Sequence, residues 1–315
     1  MKQVFSCICF IVIAVFAAPC TADPVSAIID ADTGNEMDDL YAVAHAVADD
    51  SFHVIGITSA HFNNPQLVTD PFWHIYPTRD INTLEISQNL NEELLQAMGC
   101  TDIPHPKGCE KMVGYAWGYY EGAQVPHSEA VDFIIEQAGR HSPEDKLNII
   151  CLGAVTNVAA AVLRDSSIVP SIRLYALTMK YDPDRDVWNK NSFNANNDRN
   201  GLDILLDCRG LEFVIIPNHV SRSMVFDRKT TLNKLDKIDS PLTEILKRRW
   251  DEVSAGDSWI MWDIALILAV RHPEWTVRDI RSTPPENTDR PVSVYLDIDE
   301  EKMKCDFWQT LNTLD

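Results

Sequence analysis

The feature that most narrows what this chain can fold into is a repeated order of short apolar runs and helical stretches. Val25-Ser-Ala-Ile-Ile-Asp30 is apolar and ends in acid, as a buried strand does when it delivers side chains at its carboxyl tip. Leu40 to Ala48, rich in Ala and Val, reads as the following helix, and Phe52 to Ser59 as the next strand. Ser128 to Ala138 carries Ala130, Phe133, Ile134 and Gln137 at helical spacing, with Gly139 just past its end. Leu147 to Leu152 predicts a strand and Thr156 to Arg164 a helix. Ile172 to Met179 and Leu211 to Ile216 predict two more strands, separated by an Asn-rich loop and a helix around Leu202 to Cys208. Ser258 to Val270 predicts one long apolar helix stopped by Pro273, and Pro291 to Asp299 alternates like part of an edge hairpin. Strands alternating with helices imply an α/β chain: a single-domain, open, mostly parallel Rossmann-like sheet with helices on both faces. No internal repeat and no Pro/Gly/Ser linker divides it. In such sheets ligands sit beyond the carboxyl ends of the strands, so chemistry is sought there.

The 315 residues, 45% of them hydrophobic, suffice to bury a core of that kind. A formal net charge of −20 repels phosphate backbones and disfavours nucleic acid as a partner. Met1-Lys2 is a short basic start, and the apolar run Phe5 to Ala18 is shorter than the roughly 20 residues a bilayer requires. Cys20-Thr-Ala22 offers a cleavage site before Asp23. Residues 1–22 therefore read as a secretory signal peptide and 23–315 as an exported domain, periplasmic or secreted; a buried first strand or helix is the other reading. Pro19 argues against lipid anchoring at Cys20. No later run is long enough for a stable membrane span. Cys100, Cys109, Cys151, Cys208 and Cys305 remain after cleavage. Cys100 and Cys109, flanking a Pro-rich stretch, are the expected disulfide in an oxidising compartment.

Asp30-Ala-Asp32-Thr-Gly-Asn-Glu-Met-Asp38-Asp39 crowds acids at a strand tip and a helix start. Carboxylates so close repel unless a cation neutralises them, and hard oxygen ligands suit Ca²⁺ or Mg²⁺. Helix capping accounts for Asp38 and Asp39 but not for Asp30 and Asp32 directly after a buried strand. Asp32-Thr33-Gly34 matches the aspartic-protease triplet, without a second such Asp or an all-β pattern. Asp30-x-Asp32 resembles the haloacid-dehalogenase-like motif, with Gly34 where those enzymes carry Thr or Val.

The cluster most resembles the opening motif of the nucleoside hydrolase family: an apolar strand, Asp-x-Asp, a short loop, Asp-Asp and an Ala-rich helix. Further stretches carry the same resemblance in family order. Leu152-Gly-Ala-Val-Thr156-Asn157-Val-Ala159 looks like its Gly-x-x-Thr-Asn signature. Ser192-Phe193-Asn194 with Asn197-Asp198 is similar to its ribose-binding segment, and Trp262-Asp263 to its late His-Asp or Trp-Asp pair. Together they cover roughly residues 25 to 270.

The resemblance implies the nucleoside hydrolase fold and a Ca²⁺ site formed by Asp32, Asp38, Asp39, the backbone carbonyl of Thr156 and the carboxylate of Asp263. It implies that Asp32 acts as general base on water, while nearby carboxylates stabilise the positive charge developing on the sugar. Asp39, Asn194 and Asn189 are the implied sugar contacts, with Asn189 on the 5′ side, and Trp262 is implied to stack on the base. The blander readings are that Asn194 and Asn189 shape a turn, that Thr156 caps a helix and that Trp262 packs in the core. Three departures stand out. The Asp32–Asp38 loop is two residues longer than the family's commonest form, as in a subgroup with Asn/Glu-containing loops. Ser192 replaces a sugar-binding Glu, and Trp262 replaces a His proposed as leaving-group acid.

Other features read as structural. Asp182-Pro-Asp184-Arg-Asp186 echoes a calcium loop, with Val187 and Phe193 where the turn Gly and the Glu belong. Phe72-Trp73-His74 is either an aromatic wall for the base or loop packing, and Trp117-Gly-Tyr-Tyr120 reads as surface or interface packing, which leaves a homo-oligomer open. The expected function is Ca²⁺-dependent hydrolysis of a ribonucleoside, with purine preference, to ribose and free base. Its rivals are a non-catalytic exported nucleoside- or sugar-binding protein and a hydrolase of another ribosyl or glycosyl compound.

Overall fold

Successive residues of the first strand show how the core is divided. In β1 (Val25–Ala31), Ile28 packs into one apolar cluster while Ala27, Ile29 and Ala31 pack into another, because side chains alternate across a strand. Both faces of the sheet are therefore covered, and β1 reads as a nearly continuous apolar run. The computed structural model describes residues 24–64 and 81–314, so the signal-peptide reading and the Phe72-Trp73-His74 wall lie outside the described residues.

After β1 the chain forms α1 (Asp38–Ala48), β2 (Phe52–Ser59), α2 (Thr83–Ala97), α3 (Glu129–Ala138), β3 (Leu147–Cys151), α4 (Thr156–Arg164) and β4 (Ile172–Leu177). A small hairpin, β5 (Lys180–Asp182) and β6 (Val187–Asn189), leads to α5 (Phe193–Asn197), α6 (Arg199–Asp207), β7 (Glu212–Ile216) and α7 (Asn218–Ser221). The last part holds β8 (Val225–Asp227), α8 (Arg228–Leu235), α9 (Pro241–Glu252), β9 (Ser258–Ile260), α10 (Trp262–Arg271), β10 (Thr276–Ser282), β11 (Pro291–Ile298) and α11 (Glu300–Leu311). The main sheet has the order β10-β11-β7-β4-β3-β1-β2, parallel except for the antiparallel edge strand β10. This is the expected open, mostly parallel α/β sheet. Its strand order reverses at β1, which has β2 on one side and β3 on the other, and the crevice at such a switch point is where ligands bind.

Local chemistry explains the element ends. Asp38 and Asp39 occupy the first turn of α1, where the helix dipole favours acids, and Asp38 to Ala46 are all buried, as in a helix apolar nearly all round. Ser128 caps α3 by accepting from Val131 N. Three expectations need correction. The single helix over Ser258 to Val270 is in fact strand β9 followed by α10. Residues 258–260 pair with β8, and Met261 N donates to Met224 O at 2.8 Å, so extended pairing captures the first residues. The fourth sheet strand stops at Leu177 rather than Met179, because Met179 turns the chain with a φ of 59°. Cys100 and Cys109 are not bonded, and all five described cysteines are free thiols. Cys109 is buried in the cluster under α3 and α4, 3.4 Å from Ser128 Oγ, whereas Cys100 packs against the opposite cluster at the end of α2. The periodicity also passed over α2, α9 and α11, whose Asn82, Ser240-Pro241 and Asp299 starts are signals of the kind that cap helices.

Candidate active site

The loop after β1 and the first turns of α1 and α10 bring acids to one point. Asp38, Asp39 and Asp263 each place a carboxylate oxygen within 4.8 Å of the others. Asp38 Oδ2 also accepts from Asp263 N at 3.3 Å, which ties the starts of two helices together. Asp32 joins the group through contact with the Asp39 carboxyl and the charge of Asp38. All four side chains are almost wholly buried. Each keeps one oxygen (Asp32 Oδ2, Asp38 Oδ1, Asp39 Oδ1, Asp263 Oδ1) with no hydrogen-bond partner among the described residues.

Such a group is costly unless it is protonated or meets a cation. Burial, then the Asp38 charge, pushes the Asp32 carboxyl up to about 8. Burial likewise lifts Asp38 to about 6. It holds Asp39 and Asp263 well above the usual carboxylate range, with the charges of Asp32 and Asp38 adding on Asp39 and those of Asp39 and Asp38 on Asp263. Converging hard oxygens without partners are a donor set that fits a divalent cation.

Gly153 makes room for this arrangement. A Cβ there would lie 2.5 Å from Asp32 Oδ1, so the carboxyl rests against bare backbone just past β3. Asp30, by contrast, does not join the cluster. It points to the Ile28 side of β1, where Thr58 Oγ1 at 2.5 Å and Asn157 Nδ2 at 2.7 Å both donate to its Oδ1. Burial still raises it to about 6 against those donors. Asn157 also donates to Ser59 O at 3.0 Å and accepts from Cys109 N at 2.8 Å, joining α4 to β1, β2 and the loop beyond.

Thr156 begins α4, and its hydroxyl donates to Asp198 Oδ2 at 2.7 Å. A hydroxyl has one proton, so the 2.9 Å contact with His61 Nε2 is one in which Thr156 accepts and His61 donates. Asp198 further accepts from Val113 N and Gly201 N. Burial lifts Asp198 to about 6 and lowers the His61 imidazole to about 4. No sequence motif singles out His61; its place two residues past β2, at a carboxyl strand end, was the available signal.

Asn194 Nδ2 donates to Leu177 O at 2.9 Å and to Leu152 O, so its amide bridges the carboxyl ends of β3 and β4 and sits at the crevice. Asn189 ends the exposed hairpin strand β6, where its Oδ1 accepts from Asn191 N at 2.8 Å. Ser192 is buried and its Oγ accepts from Met179 N at 3.0 Å, which holds the left-handed turn after β4. Trp262 is partly buried at the first turn of α10, against the larger core cluster and beside Asp263. The Asp182–Asp186 segment is the turn of the β5–β6 hairpin, with Asp182 Oδ1 accepting from the backbone of Asp184 and Arg185.

Known structures share this architecture. A plant nucleoside hydrolase, PpNRh1, superposes with a TM-score of 0.67 at 18% identity, covering 92% of this chain and 99% of its own. A purine-preferring ribonucleoside hydrolase from Gardnerella vaginalis gives 0.67 at 17% identity, covering 92% and 98%. The type III effector protein XopQ, complexed with adenosine diphosphate ribose, gives 0.68 at 11% identity, covering 93% and 95%. No curated protein sequence matches the chain. Residues 27–312 match the model of the inosine-uridine preferring nucleoside hydrolase, and with acids gathered at the switch point of the corresponding fold, the chain belongs to that family of metal-dependent N-ribosyl hydrolases.

Proposed function

We propose that the protein is an exported, Ca²⁺-dependent nucleoside hydrolase that prefers purine nucleosides. The observation that carries the metal reading is the convergence of four buried carboxylates, each with an oxygen that nothing in the described protein satisfies. Asp32, Asp38, Asp39 and Asp263 would hold the ion, together with the carbonyl of Thr156. When bound, the ion supplies orientation of the sugar diol and a more acidic water. Asp32 takes the proton from water as general base, from a position set by Gly153. Asp39 and Asn194 hold ribose hydroxyls. With its Nδ2 engaged by two strand-end carbonyls, Asn194 offers its Oδ1 as the acceptor. Asn189 takes the 5′ side of the sugar, a role that needs its side chain to leave the Asn191 cap. The carboxylates stabilise positive charge developing at the anomeric carbon.

Trp262 has no proton to give at neutral pH, so leaving-group activation falls to stacking on a purine, which eases protonation of the base. Inosine and uridine hydrolysis measured side by side with calcium tests the preference. Faster inosine cleavage is expected, and faster uridine cleavage would overturn it. Export is supported by the composition of residues 1–22, and secretion assayed with and without that segment tests it.

A further inference from the structure

We propose that Arg249, on α9, is a positioning residue for the metal cradle: it clamps the loop between Asp32 and Asp38 and so sets the affinity of the site for its ion. The inference rests on the calcium reading above. Arg249 is 2% exposed, and its Nη2 donates to three successive loop carbonyls, Gly34 at 3.3 Å, Asn35 at 3.4 Å and Glu36 at 3.0 Å. Its Nη1 pairs with Glu252 at 3.0 Å, which fixes the plane of the guanidinium. The opposite side of the loop is gripped by α2. There Thr33 Oγ1 contacts Ser87 O at 3.0 Å and Asn91 Oδ1 at 2.8 Å, and Gly34 N donates to Ser87 Oγ at 3.3 Å. Helix α9 also bonds to α1 in contacts that do not involve the loop: Tyr41 Oη donates to Leu246 O at 3.1 Å and Trp250 Nε1 donates to Tyr41 Oη at 2.9 Å.

The loop so held separates Asp32 from Asp38 and Asp39, whose charges repel. Five residues between the two acidic groups would let them drift apart; three carbonyls gathered on one guanidinium edge take up that slack. Two effects of the arginine oppose each other. Its positive charge disfavours a second cation, while its donors preorganise the ligands. Its bonds act on the backbone that joins the ligands, and groups that hold metal ligands in place raise affinity, so preorganisation outweighs the charge.

Calcium titration calorimetry on wild type, R249M, R249K and W250F, each confirmed folded by circular dichroism, tests this. R249M should bind calcium about tenfold more weakly or worse, in the range seen when groups supporting metal ligands are removed. R249K, which keeps the charge but not the fork, should fall between and carries the test alone if R249M does not fold. W250F breaks the Trp250–Tyr41 bond of the same helix, so it should lower the melting temperature and leave calcium affinity within about twofold of wild type. Wild-type affinity in R249M or R249K would overturn the proposal, as would equal weakening by W250F. Absence of calcium binding in wild type would instead sink the metal reading, and this proposal with it.

Discussion

Adding one methyl group at Gly153 tests whether Asp32 works from the position described. The backbone there lies outside the left-handed region, so alanine fits the chain itself. Its Cβ, however, would stand 2.5 Å from Asp32 Oδ1 and 2.6 Å from Asp32 Cγ, where ordinary contact begins at 3.4 Å. The carboxyl must retreat by about 0.9 Å, the difference of those distances, into a space already crowded by Asp38 and Asp39. Overpacking of this kind costs about 1–3 kcal/mol of stability, which a chain of this size survives. Misplacing a catalytic group by about 1 Å costs roughly 100-fold in rate. G153A should therefore melt a few degrees lower, keep native circular dichroism and lose about two orders of magnitude in kcat with saturating calcium, as followed by release of free base. A folded G153A with kcat within about twofold of wild type would show that Asp32 is neither the base nor held where the reasoning places it.

Three further outcomes follow from the same carboxylates. Asp32→Asn should abolish turnover, because an amide is a far weaker base and metal ligand; base release near the normal rate would remove Asp32 from the mechanism. Chelation by EGTA should lower activity and melting temperature together, since an ion at about 100 times its Kd stabilises the fold by about 2.7 kcal/mol, or roughly 4–5 °C for a chain of this size. A melt unmoved by stripping would argue against a metal bound at the cluster. In the stripped protein the Asp32 carboxyl is raised from its ordinary 3.8 to about 8, so between those values the native state binds more protons than the unfolded chain. Stability of the stripped protein should fall as pH rises from about 4 to about 8, and calcium should flatten the slope; melts across that range that show no fall without calcium would contradict the buried acidic cluster.

Much of the fold was legible along the chain because strand and helix periodicities are local. β2 and α4 lie over the residues predicted from pattern alone, and the Asp32–Asp39 acids stand where an apolar strand hands over to a helix. The helix expected over Ser258 to Val270 was not readable in this way. Its first residues are apolar enough for either state, and a partner strand more than thirty residues earlier decided between them. The Cys100–Cys109 pairing failed for a related reason: proximity in sequence says nothing about which side of the sheet each thiol packs against.

The amino-acid order by itself determined which residues can bear charge or bind a cation and the alternation that makes a parallel sheet. Only the tertiary structure decided which acids meet. Asp263 reaches Asp38 because α1 and α10 begin side by side, while Asp30, still within β1 on the Ile28 side, is bonded by Thr58 and Asn157 and becomes part of the scaffold. The clamp from Arg249 onto residues 34–36 spans more than two hundred positions. The physical reason is common to all three: side-chain direction follows from local backbone geometry, but convergence depends on how distant elements bury their apolar faces together.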